Sequence, residues 1–124
     1  MIQANELRIG NWVTLAGKNI RCDVKDIAGC KRMPVLRHPI PLTPEILEKC
    51  GFELDHISSC YEVGVYRNGK GNGLSVQIEI NGDKKLIQHG ALGTSIIIHN
   101  NLAHLHHFQN LYYALTGTEL TITL

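Results

Sequence analysis

The sequence predicts an α+β fold: an antiparallel sheet, built from an N-terminal hairpin and a meander, with one short helix and one long C-terminal helix packed on it. Three observations carry that prediction. Apolar residues alternate with a period of two through several short segments, a capped helix start interrupts them at Thr43, and the period becomes helical after Leu102. The 124 residues fit one domain, 1–124, of ordinary size. Leu, Ile, Val and Phe supply 37 of them, enough for a core without metal or disulfide staples, so disorder is excluded as the main state.

Leu7, Ile9, Val13 and Leu15 keep the strand period, and Ile20, Cys22 and Val24 resume it after Gly17, which reads as two antiparallel strands. The segment from Lys31 to Pro41 holds three basic residues and three prolines, the composition of an extended connector lying on an edge. Thr43-Pro44-Glu45 then opens a helix: Thr43 caps, Pro44 stands where no amide donor is needed, and Glu45 and Glu48 favour the positive helix end. Gly51 stops it in the left-handed conformation, Leu42 and Phe52 fold onto Leu47 from either end, and Ile46, Leu47 and Cys50 face the core.

Tyr61, Val63 and Val65 alternate before the glycine-rich run 68–73, and Leu74, Val76, Ile78 and Ile80 alternate after it, a hairpin with a loose tip. Asn81-Gly82 suits a two-residue type I′ turn, which would set Glu79 opposite Lys84. Leu86 and Ile87 begin a returning strand, and the β-branched run Thr94 to Ile98 makes another. From Leu102 to Leu115, Leu105, Phe108, Leu111, Tyr112 and Leu115 share one helical face, with Asn100 or Asn101 as the cap and Gly117 as the stop. Glu119 to Leu124 is read as a short terminal strand.

Charge is segregated rather than large. The net charge is +1, yet Arg8 to Arg37 carries seven basic residues against two acidic ones, and Glu45 to Glu62 five acidic against one basic. The 33 residues from Leu86 to Thr118 contain no Asp, Glu, Lys or Arg and five of the seven histidines. Solvated surfaces mix both signs of charge, so such a stretch predicts core or contact surface. On the long helix the side facing away from the core offers Ala103, His106, His107, Asn110 and Ala114, a weakly polar strip suited to a homodimer contact. With neither a signal-peptide profile at the start nor an apolar span of bilayer length, a cytoplasmic location is expected, with no membrane partner. Cys22, Cys30, Cys50 and Cys60 form no C-x-x-C pair and are read as free thiols.

Two further constellations bear on function. The basic residues Arg8, Arg21, Lys25, Lys31, Arg32 and Arg37 make a nucleic-acid surface the alternative reading, and Arg8, Gly10, Val13, Gly17, Val24 and Ile27 look like the opening hairpin of small KOW-type barrels. His104 and His107, three apart, are candidate metal ligands, but on a continuous helix His106 would point about 160° away from His104, so the three would not converge. A third ligand would have to come from His89, His99 or a cysteine, and the favoured reading is core or interface histidines with no metal site. A metal-dependent enzyme is the third reading. No nucleophile elbow, P-loop or zinc-protease helix is present, Asp55, His56 and Cys60 read as a polar loop, and no cofactor is expected.

Three segments carry a resemblance: Glu-Leu-Arg-Ile-Gly-Asn-Trp-Val at 6–13, Pro-Ile-Pro-Leu-Thr-Pro-Glu-Ile-Leu-Glu-Lys-Cys-Gly-Phe at 39–52, and Gln-Asn-Leu-Tyr-Tyr-Ala-Leu-Thr-Gly at 109–117. Their order and spacing resemble a family of small proteins from gut-bacterial genomes and their phages or prophages, a family with no established activity. In that pattern one histidine precedes the third segment, matching His106, while His104 and His107 depart from it. The resemblance implies a mobile-element origin and supplies no catalytic residue. Taken together, the sequence predicts a small protein-interaction module that acts by self-association or by contact with another protein.

Overall fold

The computed structural model describes residues 2, 4–33, 36–58, 63–68, 73–79 and 81–124. Most of the expected glycine-rich hairpin tip, at 69–72, together with Cys60, Tyr61 and Ile80, lies outside the described residues. Among the described residues the fold is mixed α+β, with antiparallel sheets of three and five strands and three α-helices, the C-terminal one of 12 residues. The chain falls into two compact units, one of Met1–Leu42, His104–Leu120 and Leu124, the other of Thr43–Ala103 and Thr121–Thr123.

In the first unit a 3₁₀ turn, Ala4–Glu6, precedes the hairpin of β1 (Trp12–Leu15) and β2 (Lys18–Arg21), whose register pairs Trp12 with Arg21 and Leu15 with Lys18. The hairpin is shorter than the alternation suggested. Gly10 at φ +95° turns the chain before β1, and Val24 does not continue β2 but opens helix α1 (Val24–Arg32). Asp23 caps that helix and Asp26 returns the bond to the Asp23 backbone N–H, a reciprocal box that satisfies two helix-start donors. The segment read as a connector supplies a strand, β3 (Arg37–Pro39), on the edge of the order β2-β1-β3. An edge tolerates Pro39, which has no N–H to donate to a further neighbour. Ile2, Leu7, Val13, Cys22 and Cys30 form a buried cluster with Ala4, Ile20 and Ile27 packed against it.

Helix α3 (Leu105–Thr116) completes this unit, packs against β1, and starts three residues later than predicted. Neither Asn100 nor Asn101 caps it. His104 stands at the cap in extended conformation because it bridges to Pro41, while the Leu105 N–H donates to the Ile40 carbonyl. The buried face also differs: Leu105, Phe108 and Tyr112 are buried as expected, but Leu115 is exposed, and His106 and Gln109 take inward positions.

In the second unit, helix α2 (Pro44–Lys49) follows its sequence signals closely: the Thr43 hydroxyl accepts from the Ile46 N–H, Pro44 opens the helix, and Gly51 follows at φ +83°. The meander runs in the order β4-β5-β6-β7-β8, with β4 at Phe52–Ser58, β5 at Val63–Asn68, β6 at Leu74–Ile78, β7 at Lys84–His89 and β8 at Ser95–His99. β4 includes Asp55 and His56, placed by the sequence in a polar loop; of its residues 52–57 only Phe52 is buried, so no apolar alternation betrays it. The turn after β6 is wider than a two-residue type I′ loop: Ile78 pairs with Lys84, the Glu79 N–H donates to the Asp83 carbonyl, and Gly82 sits at φ +89°. Glu79 consequently meets Lys85, at 2.6 Å, rather than Lys84. Residues 119–124 form no strand; the Thr123 N–H donates to the Lys49 carbonyl.

Gly117, like Gly51, has positive φ, at +72°, and a Cβ added at either would meet nothing within 4 Å. The cost of alanine there is purely conformational, about 1 kcal/mol at each site. Gly51→Ala and Gly117→Ala should each lower the thermal midpoint by a few degrees, and asparagine, which tolerates the left-handed region, should lower it less. Unchanged midpoints in both alanine variants would refute these helix stops.

Candidate functional site

Helix α3 begins with a gathering of imidazoles. Because His104 is extended rather than helical, the divergence calculated for a continuous helix does not apply, and all three histidines come together. The His104 ring stacks on His106 at 5.8 Å and lies 5.7 Å from His107, while the His106 and His107 centroids are 4.3 Å apart. Glu6, at the end of the 3₁₀ turn, completes the group: its carboxylate oxygens stand 3.4 Å from His106 Nε2 and 3.9 Å from His107 Nε2. Sequence spacing could not have found Glu6, a hundred residues upstream. It is held there by Asn110, one turn beyond His106, whose amide donates to the Glu6 carbonyl at 2.8 Å. The Asn110 oxygen in turn accepts from Arg8 Nε and Asn11 Nδ2.

His106 is 1% exposed, and neither ring nitrogen has a hydrogen-bond partner. Burial, reinforced by the neighbouring His107, holds its pKa down to about 4 against the pull of Glu6. Burial likewise lowers His104. Neutral imidazole is therefore the form present at pH 7. Among the described residues, the donor atoms close enough to share an ion belong not to the pair His104 and His107 but to Glu6, His106 and His107, all within 4.8 Å of one another, with His104 alongside.

The strip expected to face outward is also corrected. His106 is buried and Asn110 is bound to the N-terminal segment, whereas Ala103 and His107 are half-buried and Ala114 is exposed. Gln109 draws this polar side inward, because its side chain accepts from the Trp12 N–H at the start of β1 and donates to the Gly10 carbonyl in the turn before it.

In the uncharged stretch apolar exposure is found at Leu92, on the outer side of α3 at Tyr113 and Leu115, and on two successive residues of β8. Ile96 is 66% and Ile97 51% exposed, and successive strand residues point to opposite faces. β8 is an outer strand with no charged residue, and a bulge at Ile98 marks the end of its regular part, since Leu86 pairs with His99 and Ile87 with Ile97. The opposite edge is guarded: β4 carries Glu53, Asp55 and His56 and an irregular register between Leu54 and His56. Asp55 there accepts from His56 Nδ1 at 2.6 Å in an exposed pair.

The basic residues divide in two. Arg21, Lys25, Lys31 and Arg32 are exposed, but Arg8 and Arg37 are occupied. Arg8 pairs with Glu119 at 2.6 Å, bonds Asn110 and lies over the Tyr113 ring at 4.6 Å. Arg37 is 9% exposed and pairs with Asp26 at 3.0 Å, so neither is placed to neutralise a phosphate. A cavity of about 360 Å³ lined by Gly29, Arg32, Met33, Leu36 and Arg37 adjoins this pair, its buried cation already matched by Asp26. No helix among the described residues is long and apolar enough to cross a membrane. No family model, curated protein or solved structure matches the chain.

Proposed function

We propose that this protein is a small interaction module that acts by self-association, with β8 as its contact strand. The observation supporting the reading is the exposure of Ile96 and Ile97 on an outer strand that carries no charged residue and no proline and whose one irregularity is the bulge at Ile98. An unpaired strand edge offers a row of backbone donors and acceptors, and its natural complement is another strand. A second copy of β8 is the occupant. The strand has no charge with which to select a partner of either sign, and two-fold antiparallel pairing sets each isoleucine against an equivalent surface.

A cytoplasmic, mobile-element setting belongs to the same reading. It draws on the resemblance of segments 6–13, 39–52 and 109–117, and on Cys22, Cys30 and Cys50, which are buried thiols. Burial pushes Cys22 up to about 11 and Cys50 up to about 12, so both are inert near neutral pH. Static light scattering at micromolar concentration should return the mass of a dimer, and Ile96→Lys should return that of a folded monomer. A monomer before substitution, or a dimer indifferent to Ile96→Lys, would refute β8 self-pairing.

A further inference from the structure

We propose that Glu6, His106 and His107 form a binding site for a divalent transition-metal ion of the zinc class, separate from β8 and independent of the self-association reading. The donor set is two imidazoles and one carboxylate, the combination that holds such ions in three-ligand sites with a position left open. Imidazole selects these ions over magnesium and calcium, which require mostly oxygen ligands.

Geometry supports the assignment. Ligands on a tetrahedral ion at bond lengths near 2.0–2.1 Å stand about 3.4 Å apart. His106 Nε2 and Glu6 Oε2 are 3.4 Å apart, a spacing that suits a shared ion between them. His107 Nε2 lies 3.9 Å from the other carboxylate oxygen, within reach of a small side-chain rotation. Burial makes the second and independent argument. His106 is almost wholly enclosed, both ring nitrogens lack partners, and an unsatisfied buried polar atom costs about 1–3 kcal/mol. An ion at Nε2 removes one such loss and makes the adjacent carboxylate its counter-charge. The supporting shell is built as well: Asn110 fixes the Glu6 backbone, and Asn110 is itself fixed by Arg8 and Asn11.

The remaining histidines supply the alternative to be excluded, because exposed imidazoles bind zinc weakly and without geometry. Titration of the full chain with Zn²⁺ at pH 7.5, followed calorimetrically, should show one site. Glu6→Gln and His107→Gln, at half-buried positions where neither change empties the core, should each weaken that site on the order of tenfold, with the circular dichroism unchanged. Co²⁺ added to the unsubstituted chain should give visible ligand-field absorption that Zn²⁺ abolishes and Mg²⁺ does not. The proposal is overturned if no stoichiometric site is found, if either variant binds within threefold of the original, or if Mg²⁺ competes with Co²⁺. Should a variant fail to fold, the Co²⁺ competition on the intact chain decides.

Discussion

Gln109→Leu is expected to destabilise the protein by about 3 kcal/mol, although leucine fills nearly the same space and is the more hydrophobic residue. Gln109 is 2% exposed and serves the backbone rather than another side chain. Its Oε1 accepts from the Trp12 N–H at 2.8 Å and its Nε2 donates to the Gly10 carbonyl at 3.1 Å. Leucine would leave both groups without partners, at about 1–3 kcal/mol each, offset in part by better transfer of its own side chain. Gly10 has little freedom to turn its carbonyl elsewhere, since it is held at φ +95° with its N–H on the Cys22 carbonyl. For a chain of this size the thermal midpoint should fall by roughly 10 °C. Gln109→Glu provides the control. It keeps the acceptor for Trp12 but sets a carboxylate against the Gly10 carbonyl, so its deficit should shrink as acid protonates the new side chain and restores a donor. A Gln109→Leu midpoint within two or three degrees of the original would mean that these bonds carry no weight.

Gln109 also shows where reading a sequence stops. The helix around it was legible from Leu105, Phe108 and Tyr112, and its stop from Gly117, because these features are local and periodic. Which polar residues turn inward was not. Gln109 and His106 are buried by partners about a hundred positions away, and no periodicity encodes a bond to Trp12 or an approach to Glu6. Helix α2 was fully legible, since Thr43, Pro44 and Gly51 act within a single turn of it. Helix α1 had its own local signal, Asp23 three residues before Asp26, but the alternation of Ile20, Cys22 and Val24 runs across the cap and disguises it. Strand β4 buries only Phe52 among residues 52–57 and so lacks the alternation by which strands are found. The three histidines near the start of α3 were legible as a cluster, but Glu6 and the way the rings converge were not. Their convergence depends on the Pro41 bridge that keeps His104 extended, a pairing between distant residues.

Asp26→Ala is expected to cost about 3 kcal/mol, well above the roughly 1 kcal/mol of an ordinary helix cap, because it would strand a buried cation. Arg37 lies over α1 where Gly29 has no side chain: a Cβ there would come within 2.7 Å of its guanidinium. The guanidinium is enclosed on that side, its Nε has no partner, and Asp26 Oδ1 at 3.0 Å is the one carboxylate paired with it among the described residues. Arg37→Met in the same background should recover part of the loss, since an unpaired buried charge costs more than a missing pair. Acid should act through the same group. Burial tends to raise the Asp26 pKa, but the Asp23 backbone N–H and the Arg37 guanidinium outweigh it and hold the carboxyl below its ordinary value of 3.8. A carboxyl lowered by folding stabilises the native state above its unfolded pKa, and that contribution disappears as pH falls through the native one. Urea unfolding of the original chain and of Asp26→Asn, from pH 6 down to pH 2.5, should therefore show a gap that is constant above about pH 5 and closes below about pH 4. A gap that survives undiminished at pH 2.5 would show that the amide lacks something other than charge, and that Arg37 does not depend on an ionised Asp26.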